Sequence, residues 1–66
     1  MIIRINGKEE RIEKTVNLSA FIGARNLRPE GIVVEHNARI VPREIWETVT
    51  LAENDTLEII SFVGGG

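Results

Sequence analysis

A small α+β domain, with one mixed sheet covered by one helix, is the fold this sequence predicts. Three observations predict it. The opening "MIIRI" alternates and is closed by Asn6-Gly7, the strongest short-range hairpin signal. One stretch only, "TVNLSAFIGARNL", takes a helical period. The closing run "LEIISFV" matches the first strand in apolar character and belongs beside it at the centre of the sheet. A chain of 66 residues has room for one domain. A domain this small buries only about 60% of the surface its unfolded chain exposes. Its stability is therefore marginal, on the order of 3–10 kcal/mol.

The elements follow in order. In the first strand Met1, Ile3 and Ile5 point one way, Ile2 and Arg4 the other. The return strand after Asn6-Gly7 spans residues 8–14, "KEERIEK", with Ile12 its one apolar anchor. Such a charged strand belongs at a sheet edge, where Glu9, Glu10, Arg11 and Glu13 are solvated and discourage pairing with other chains. Residues 15–27 form the helix, with Leu18, Phe21, Ile22 and Arg25 on one face and Val16 as a staple before it. Thr15 or Asn17 supplies the N-cap oxygen. Gly23 weakens the middle of the helix by about 1 kcal/mol relative to Ala, which suggests a close approach of helix to sheet there.

Arg28-Pro29-Glu30-Gly31 turns the chain into a third strand, "IVVEHN". Asn37-Ala38 makes a tight turn into the short extended piece "RIV". Pro42 sits where a helix can begin, since its missing N–H is not needed there, so "PREIW" reads as a single helical turn. "LAENDT" is a turn, and "LEIISFV" is the last strand, beside and parallel to the first. Ile3, Ile5, Leu57 and Ile59 are then expected in the core against Leu18 and Phe21. A mixed sheet of four to five strands wrapped around one main helix is the β-grasp, or ubiquitin-like, architecture. A ferredoxin-like fold is the alternative, but it needs a second full helix, and "PREIWETV" is too short for one.

Composition excludes several function classes. The net charge is −2 and no Lys/Arg block stands out, so the electrostatic footprint of a nucleic-acid binder is missing. Without cysteine there is no disulfide scaffold and no thiolate metal site, and one His cannot build a zinc site. No apolar run approaches the ~20 residues that span a bilayer, and the N-terminus lacks a signal-peptide layout. A soluble, cytoplasmic domain without membrane partners is expected. An enclosed active site is not, because pockets of ~300–1,000 Å³ need more walls than this chain supplies.

The second half, "VEHNARIVPREIWETVTLAENDTLEIISFVGGG", resembles the sulfur carrier proteins of thiamine biosynthesis, the ThiS family. The residues that carry the likeness are Asn37, Val41-Pro42-Arg43, Trp46, Asp55, Leu57-Glu58-Ile59 and the terminal glycines. The first half matches through a short hairpin and Thr15-Val16 at the start of the helix. Family members often place Gly before the Asp of the last turn. Here the residue is Asn54, which tolerates the left-handed conformation better than most. Ala20-Phe21 stands where paired leucines are common.

The resemblance implies a domain over residues 1–63 and a flexible tail over residues 64–66. It implies that the carboxylate of Gly66 is adenylated by an activating partner enzyme using ATP, with no cofactor or metal held by the carrier itself. Sulfur then replaces one oxygen to give a thiocarboxylate, and a thiazole synthase takes that sulfur. The carrier is a co-substrate in this scheme, not an enzyme. Elementary chemistry agrees with such a tail. Gly64, Gly65 and Gly66 extend at most ~10 Å. Without Cβ atoms they pass a narrow channel and leave the acyl carbon unhindered when sulfur attacks.

Alternatives share the chemistry or the fold. They are a carrier for molybdopterin synthesis or tRNA thiolation, a ubiquitin-like modifier joined to lysines, and an interaction module with an inert tail. Val41-Pro42-Arg43 with Trp46 downstream favours thiamine. Strand alternation adds a candidate docking surface. If Leu57 and Ile59 face the helix, Glu58, Ile60 and Phe62 face away. Ile60 and Phe62 would then form an apolar patch beside the reactive end. Arg43 reads as the partner of a surface carboxylate, Trp46 as core or core rim, and His36 as an ordinary exposed residue at a strand end.

Overall fold

The computed structural model of the protein describes residues 1–62. The chain runs β1 (Ile2–Ile5), β2 (Lys8–Arg11), α1 (Leu18–Ala24), a 3-10 turn (Pro29–Gly31), β3 (Ile32–His36), β4 (Arg39–Ile40), a longer 3-10 helix (Arg43–Thr48) and β5 (Thr56–Ser61). The strands form one sheet in the order β2-β1-β5-β3-β4. β5 pairs parallel with β1 and antiparallel with β3. The last strand is thus central and parallel to the first, as the β-grasp reading requires. The expected boundary at residue 63 and the tail over residues 64–66 lie outside the described residues.

Local chemistry sets each boundary. Asn6 and Gly7 both take positive φ, 49° and 85°, the conformation that a two-residue hairpin turn demands. β2 ends at Arg11, short of the expected residue 14. Its pairing partner β1 begins at Ile2, and the last bond of the ladder runs from the Ile12 N–H to the Met1 carbonyl at 2.8 Å. Of the two candidate caps, Asn17 serves: its Oδ1 accepts from the Ala20 N–H at 2.8 Å.

The helix is shorter than its period suggests. Asn26 takes φ 59°, and its N–H donates to the Gly23 carbonyl while the Leu27 N–H reaches the Ile22 carbonyl. That is a Schellman stop with Asn where Gly is usual. Gly23 is exposed, and a Cβ there would meet nothing within 4 Å. The expected close approach to the sheet is therefore wrong, and the glycine is simply a weak helix residue.

The core holds Ile3, Leu18, Phe21, Ile22, Val34, Val41, Trp46, Leu51 and Leu57. Ile3, Leu57, Leu18 and Phe21 pack there as expected, but Ile5 and Ile59 are only half-buried. The early helix stop explains this. Both line an open recess with Leu27 and Arg25, past the point where α1 stops covering the sheet. Leu51, expected in a turn, is 1% exposed. Its N–H donates to the Val16 carbonyl, and the Leu18 N–H to the Val49 carbonyl, which ties this segment to the start of α1.

"PREIW" is no single turn but part of a six-residue 3-10 helix. Trp46 is core, 4% exposed, and its indole Nε1–H donates to the Val41 carbonyl at 3.0 Å. Arg43 lies 3.9 Å from Glu30 on the surface, the weak kind of ion pair the sequence suggests.

Candidate functional site

The candidate site is the carboxyl end of β5 and the sheet face beside it. Gly64, Gly65 and Gly66 lie outside the described residues. The structure does show how the strand that leads to them is held, and it is held at both ends.

At its start, β5 is tied by a knot of polar side chains. Asp55 is 8% exposed. Its Oδ2 accepts from His36 Nε2 at 2.7 Å and from the Ala52 N–H at 2.8 Å, and its Oδ1 accepts from Asn37 Nδ2 at 3.1 Å. An ionised carboxylate can only accept, so His36 carries a proton on Nε2. Asn37 also receives the Thr56 N–H on its Oδ1, and its own N–H donates to the Thr56 carbonyl. Burial pushes the Asp55 carboxyl up. The hydrogen bonds from His36, Asn37 and Ala52, with the charge on His36, outweigh burial and hold it below the ordinary carboxylate value. His36 is therefore not the exposed bystander expected at a strand end. It faces the helix side opposite Leu57 and is partly buried.

Three residues beside the knot take left-handed backbone. Asn37 and Ala38 take φ 52° and 72°, and Asn54 takes 70°. Asn37 and Asn54 tolerate this conformation, as expected of Asn54, whereas Ala38 has no polar side chain to offset the strain.

At its far end β5 outlasts β1, and a side chain replaces the missing strand. The Asn6 amide grips Ile59 on both sides: Oδ1 accepts the Ile59 N–H at 2.8 Å, and Nδ2 donates to the Ile59 carbonyl at 3.3 Å. On the other flank Ser61 sits opposite Ile32, and the Phe62 N–H donates to the Gly31 carbonyl at 3.1 Å. The point from which the chain leaves the sheet is fixed by Asn6 and Gly31. Sequence reading assigned Asn6 only to the turn. Its grip on Ile59 crosses 53 positions, a separation no local pattern reports.

The face away from the helix carries the expected patch. Ile60 is 48% exposed and Phe62 62% exposed. Val33 stands opposite Ile60, and Glu35 stands opposite Glu58 one row further from the strand's end. β4 adds Ile40, opposite Glu35 and 67% exposed. Nothing among the described residues covers this face. It therefore has the position and chemistry to receive another protein next to the last strand's end. Among the described residues there is no group of three His, Cys, Asp or Glu placed to hold a metal ion, and no helix long and apolar enough to cross a membrane.

Known proteins are similar to this chain in sequence and in fold. The ThiS family model matches residues 3–66. The sulfur carrier protein ThiS of Bacillus subtilis is 32% identical over 66 residues, covering 98% of this chain and all of that protein. The thiazole synthases of Paramagnetospirillum magneticum and Magnetococcus marinus are each 33% identical over 66 residues. That match takes in all of this chain but 20% of theirs, so the chain spans about a fifth of their length. The crystal structure of the thiamine biosynthesis protein ThiS from Geobacter metallireducens superposes with a TM-score of 0.85 at 28% identity, over the whole of both chains. With a parallel central strand pair, one covering helix and a family match along nearly its whole length, this chain belongs to the ThiS family.

Proposed function

We propose that this protein is the sulfur carrier of thiamine biosynthesis and that Gly66 is where the sulfur is carried. The observation that carries the reading is a central strand anchored at Asp55, Ile59 and Phe62, with the family's glycines directly beyond it in sequence. An oxygen of the Gly66 carboxylate attacks the α-phosphorus of ATP on a partner enzyme, giving the acyl adenylate and pyrophosphate. Sulfur delivered at the sulfide level, as hydrosulfide released by a donor, then attacks the acyl carbon. The tetrahedral adduct expels AMP and loses the S–H proton, which leaves the thiocarboxylate. The carrier is a co-substrate in these steps, and ATP belongs to the partner. Gly64 and Gly65 act as the thin arm that brings the reacting carbon into the partner's channel.

Two partners follow. The adenylating enzyme docks on the open sheet face, with Ile60 and Phe62 buried in the contact. A thiazole synthase receives the sulfur. The two thiazole synthases that carry a stretch similar to this whole chain support that second pairing. The reactions place the protein in the cytoplasm, where ATP and reduced sulfur donors are found.

Incubating the protein with an adenylating enzyme, ATP and a sulfur donor tests the reading by intact-protein mass spectrometry. Replacement of one oxygen by sulfur at Gly66 is expected. A ladder of lysine conjugates would instead mark a modifier, and an unchanged mass would sink the carrier assignment. Ile60→Asp should leave melting nearly unchanged and weaken binding to the adenylating enzyme at least tenfold, about 1.4 kcal/mol.

A further inference from the structure

We infer that the protein docking on the open sheet face presents a cationic side chain to Glu35 and Glu58, and that these carboxylates help decide which partner is accepted. The inference rests on the proposed landing of the adenylating enzyme on this face, and it names the chemistry that enzyme must bring.

Glu35 in β3 and Glu58 in β5 are direct antiparallel partners. Directly opposed residues share a face and have Cβ atoms about 4.5–5.5 Å apart, and like charges so placed are destabilising. No ion pair among the described residues offsets them. Ion pairs among the described residues join Arg4 to Glu9, Arg25 to Glu10, His36 to Asp55 and Arg43 to Glu30. None of them engages Glu35 or Glu58. Their neighbours on the open face are Val33 and Ile60 toward the strand's end, Ile40 across β4, and Thr56 and Asn37 on the other side. The nearest cation on this face is Arg4, opposite Thr56 in β1, and it is paired with Glu9 at 3.2 Å, not with either carboxylate.

In water this opposition is tolerable, because solvent screens it. Under a partner it is not. A protein that covers Ile60 and Phe62 also strips water from the acid pair one row away. Burying carboxylates without compensation costs several kcal/mol per ion. A purely apolar partner surface would lose in that row what it gains over the isoleucine. A guanidinium changes the sign, because its five donors can serve both carboxylates through charge-assisted hydrogen bonds. The pair that repels in the free protein then becomes the feature that rejects partners without the cation. A second copy of this chain brings the same two carboxylates, so charge opposes self-pairing through this face.

The test uses the full chain with the adenylating enzyme from the same genome, read by ATP–pyrophosphate exchange and by melting. Replacing both residues, Glu35→Gln with Glu58→Gln, is expected to keep or raise the melting temperature, since the repulsion is gone. The same double variant should raise KM for the carrier at least tenfold, about 1.4 kcal/mol. Wild-type KM should rise with salt, and the double variant should lose most of that dependence. A merely structural role would lower melting and leave the salt dependence in place. If Ile60→Asp raises KM while the double variant matches wild type, the face is used and the cation is absent, which overturns the inference alone. If Ile60→Asp also matches wild type, the docking face itself is misplaced. A wild-type dimer that Ile60→Asp dissociates would assign the face to a second copy and overturn the inference as well.

Discussion

Replacing Asp55 by Asn tests how β5 is held at its start. The substitution keeps shape and removes charge. Asp55 accepts three hydrogen bonds with its two oxygens, two on Oδ2 and one on Oδ1. An Asn offers one acceptor oxygen and one NH2. If the oxygen faces His36 and the Ala52 N–H, the NH2 meets the Asn37 amide donor. If it is turned round, the NH2 meets two donors. At least one charge-assisted bond, worth about 1.5–3 kcal/mol, becomes an opposed donor pair. We expect a loss of about 2–4 kcal/mol at neutral pH, a large share of a total on the order of 3–10 kcal/mol. For a domain this size that lowers the melting temperature by roughly 15–30 °C.

The pH dependence distinguishes the knot from simple loss of packing. The folded Asp55 carboxyl lies below its ordinary value, while in the unfolded chain it titrates near ~3.9. As pH falls, the unfolded state takes up its proton first. The contribution of Asp55 is therefore complete above about pH 5 and lost as pH drops through the folded value. Denaturant unfolding of both proteins from neutral to acid pH should show the gap between them narrowing below about pH 4. A gap under about 0.5 kcal/mol at neutral pH, within the range of an ordinary surface change, or one that stays constant into acid, would refute the account.

Other expectations follow from the same geometry. Deleting Gly66, or adding a residue after it, should abolish adenylation while melting stays within a degree or two, on the order of an ordinary surface change; normal activation of an extended, untrimmed protein would sink the assignment. Leu57→Ala should cost about 2–5 kcal/mol, whereas Ile59→Ala, half-buried beside the open recess, should cost clearly less in the same denaturant series; equal losses would mean the recess closes over Ile59. Ala38→Gly should raise stability by about 0.5–1 kcal/mol, the balance between about 1–2 kcal/mol of left-handed strain relieved and the extra freedom of Gly in the unfolded chain. A destabilised Ala38→Gly variant would show that the alanine methyl packs usefully.

The strands and their order were legible in the sequence because their signals are local. Alternation fixes which side of β1 and β5 is buried, Asn6-Gly7 fixes the hairpin, and the same alternation leaves Ile60 and Phe62 on the open face. The misreadings share one cause, a partner far along the chain or a backbone angle that apolar period does not record. His36 looked ordinary because Asp55 lies 19 positions away. Leu51 looked like a turn residue because the segment that covers it, at Val16, comes from the start of the helix. The helix looked longer because Asn26 interrupts by φ, not by hydrophobicity. Gly23 invited a packing explanation that an exposed position does not need.

The distribution of these contacts bears on how a protein this small can carry a reactive group. Stability is concentrated at the start of β5 and in the core under α1, around Asp55, Leu57 and Leu18. The Asn6 grip on Ile59 and the Phe62 bond to Gly31 form the last described anchors before the glycines. Changes beyond Phe62 touch none of these contacts, so they should alter chemistry without altering folding. Changes at Asp55 should do the reverse. Asn6 belongs to both sets. Asn6→Gly keeps the turn's positive φ, 49° at this position, without steric strain, but removes both side-chain bonds to Ile59 and leaves the Ile59 backbone groups to solvent, so the strand end loosens while the knot and core stay intact. Such a variant should lose about 1–2 kcal/mol of hydrogen bonding, less than Asp55→Asn loses, yet present the reactive end less consistently to the adenylating enzyme. A fall in adenylation larger than the fall in folded fraction would show that the sheet positions the arm as well as holding the fold. Adenylation that tracks the folded fraction would show that the partner alone places it.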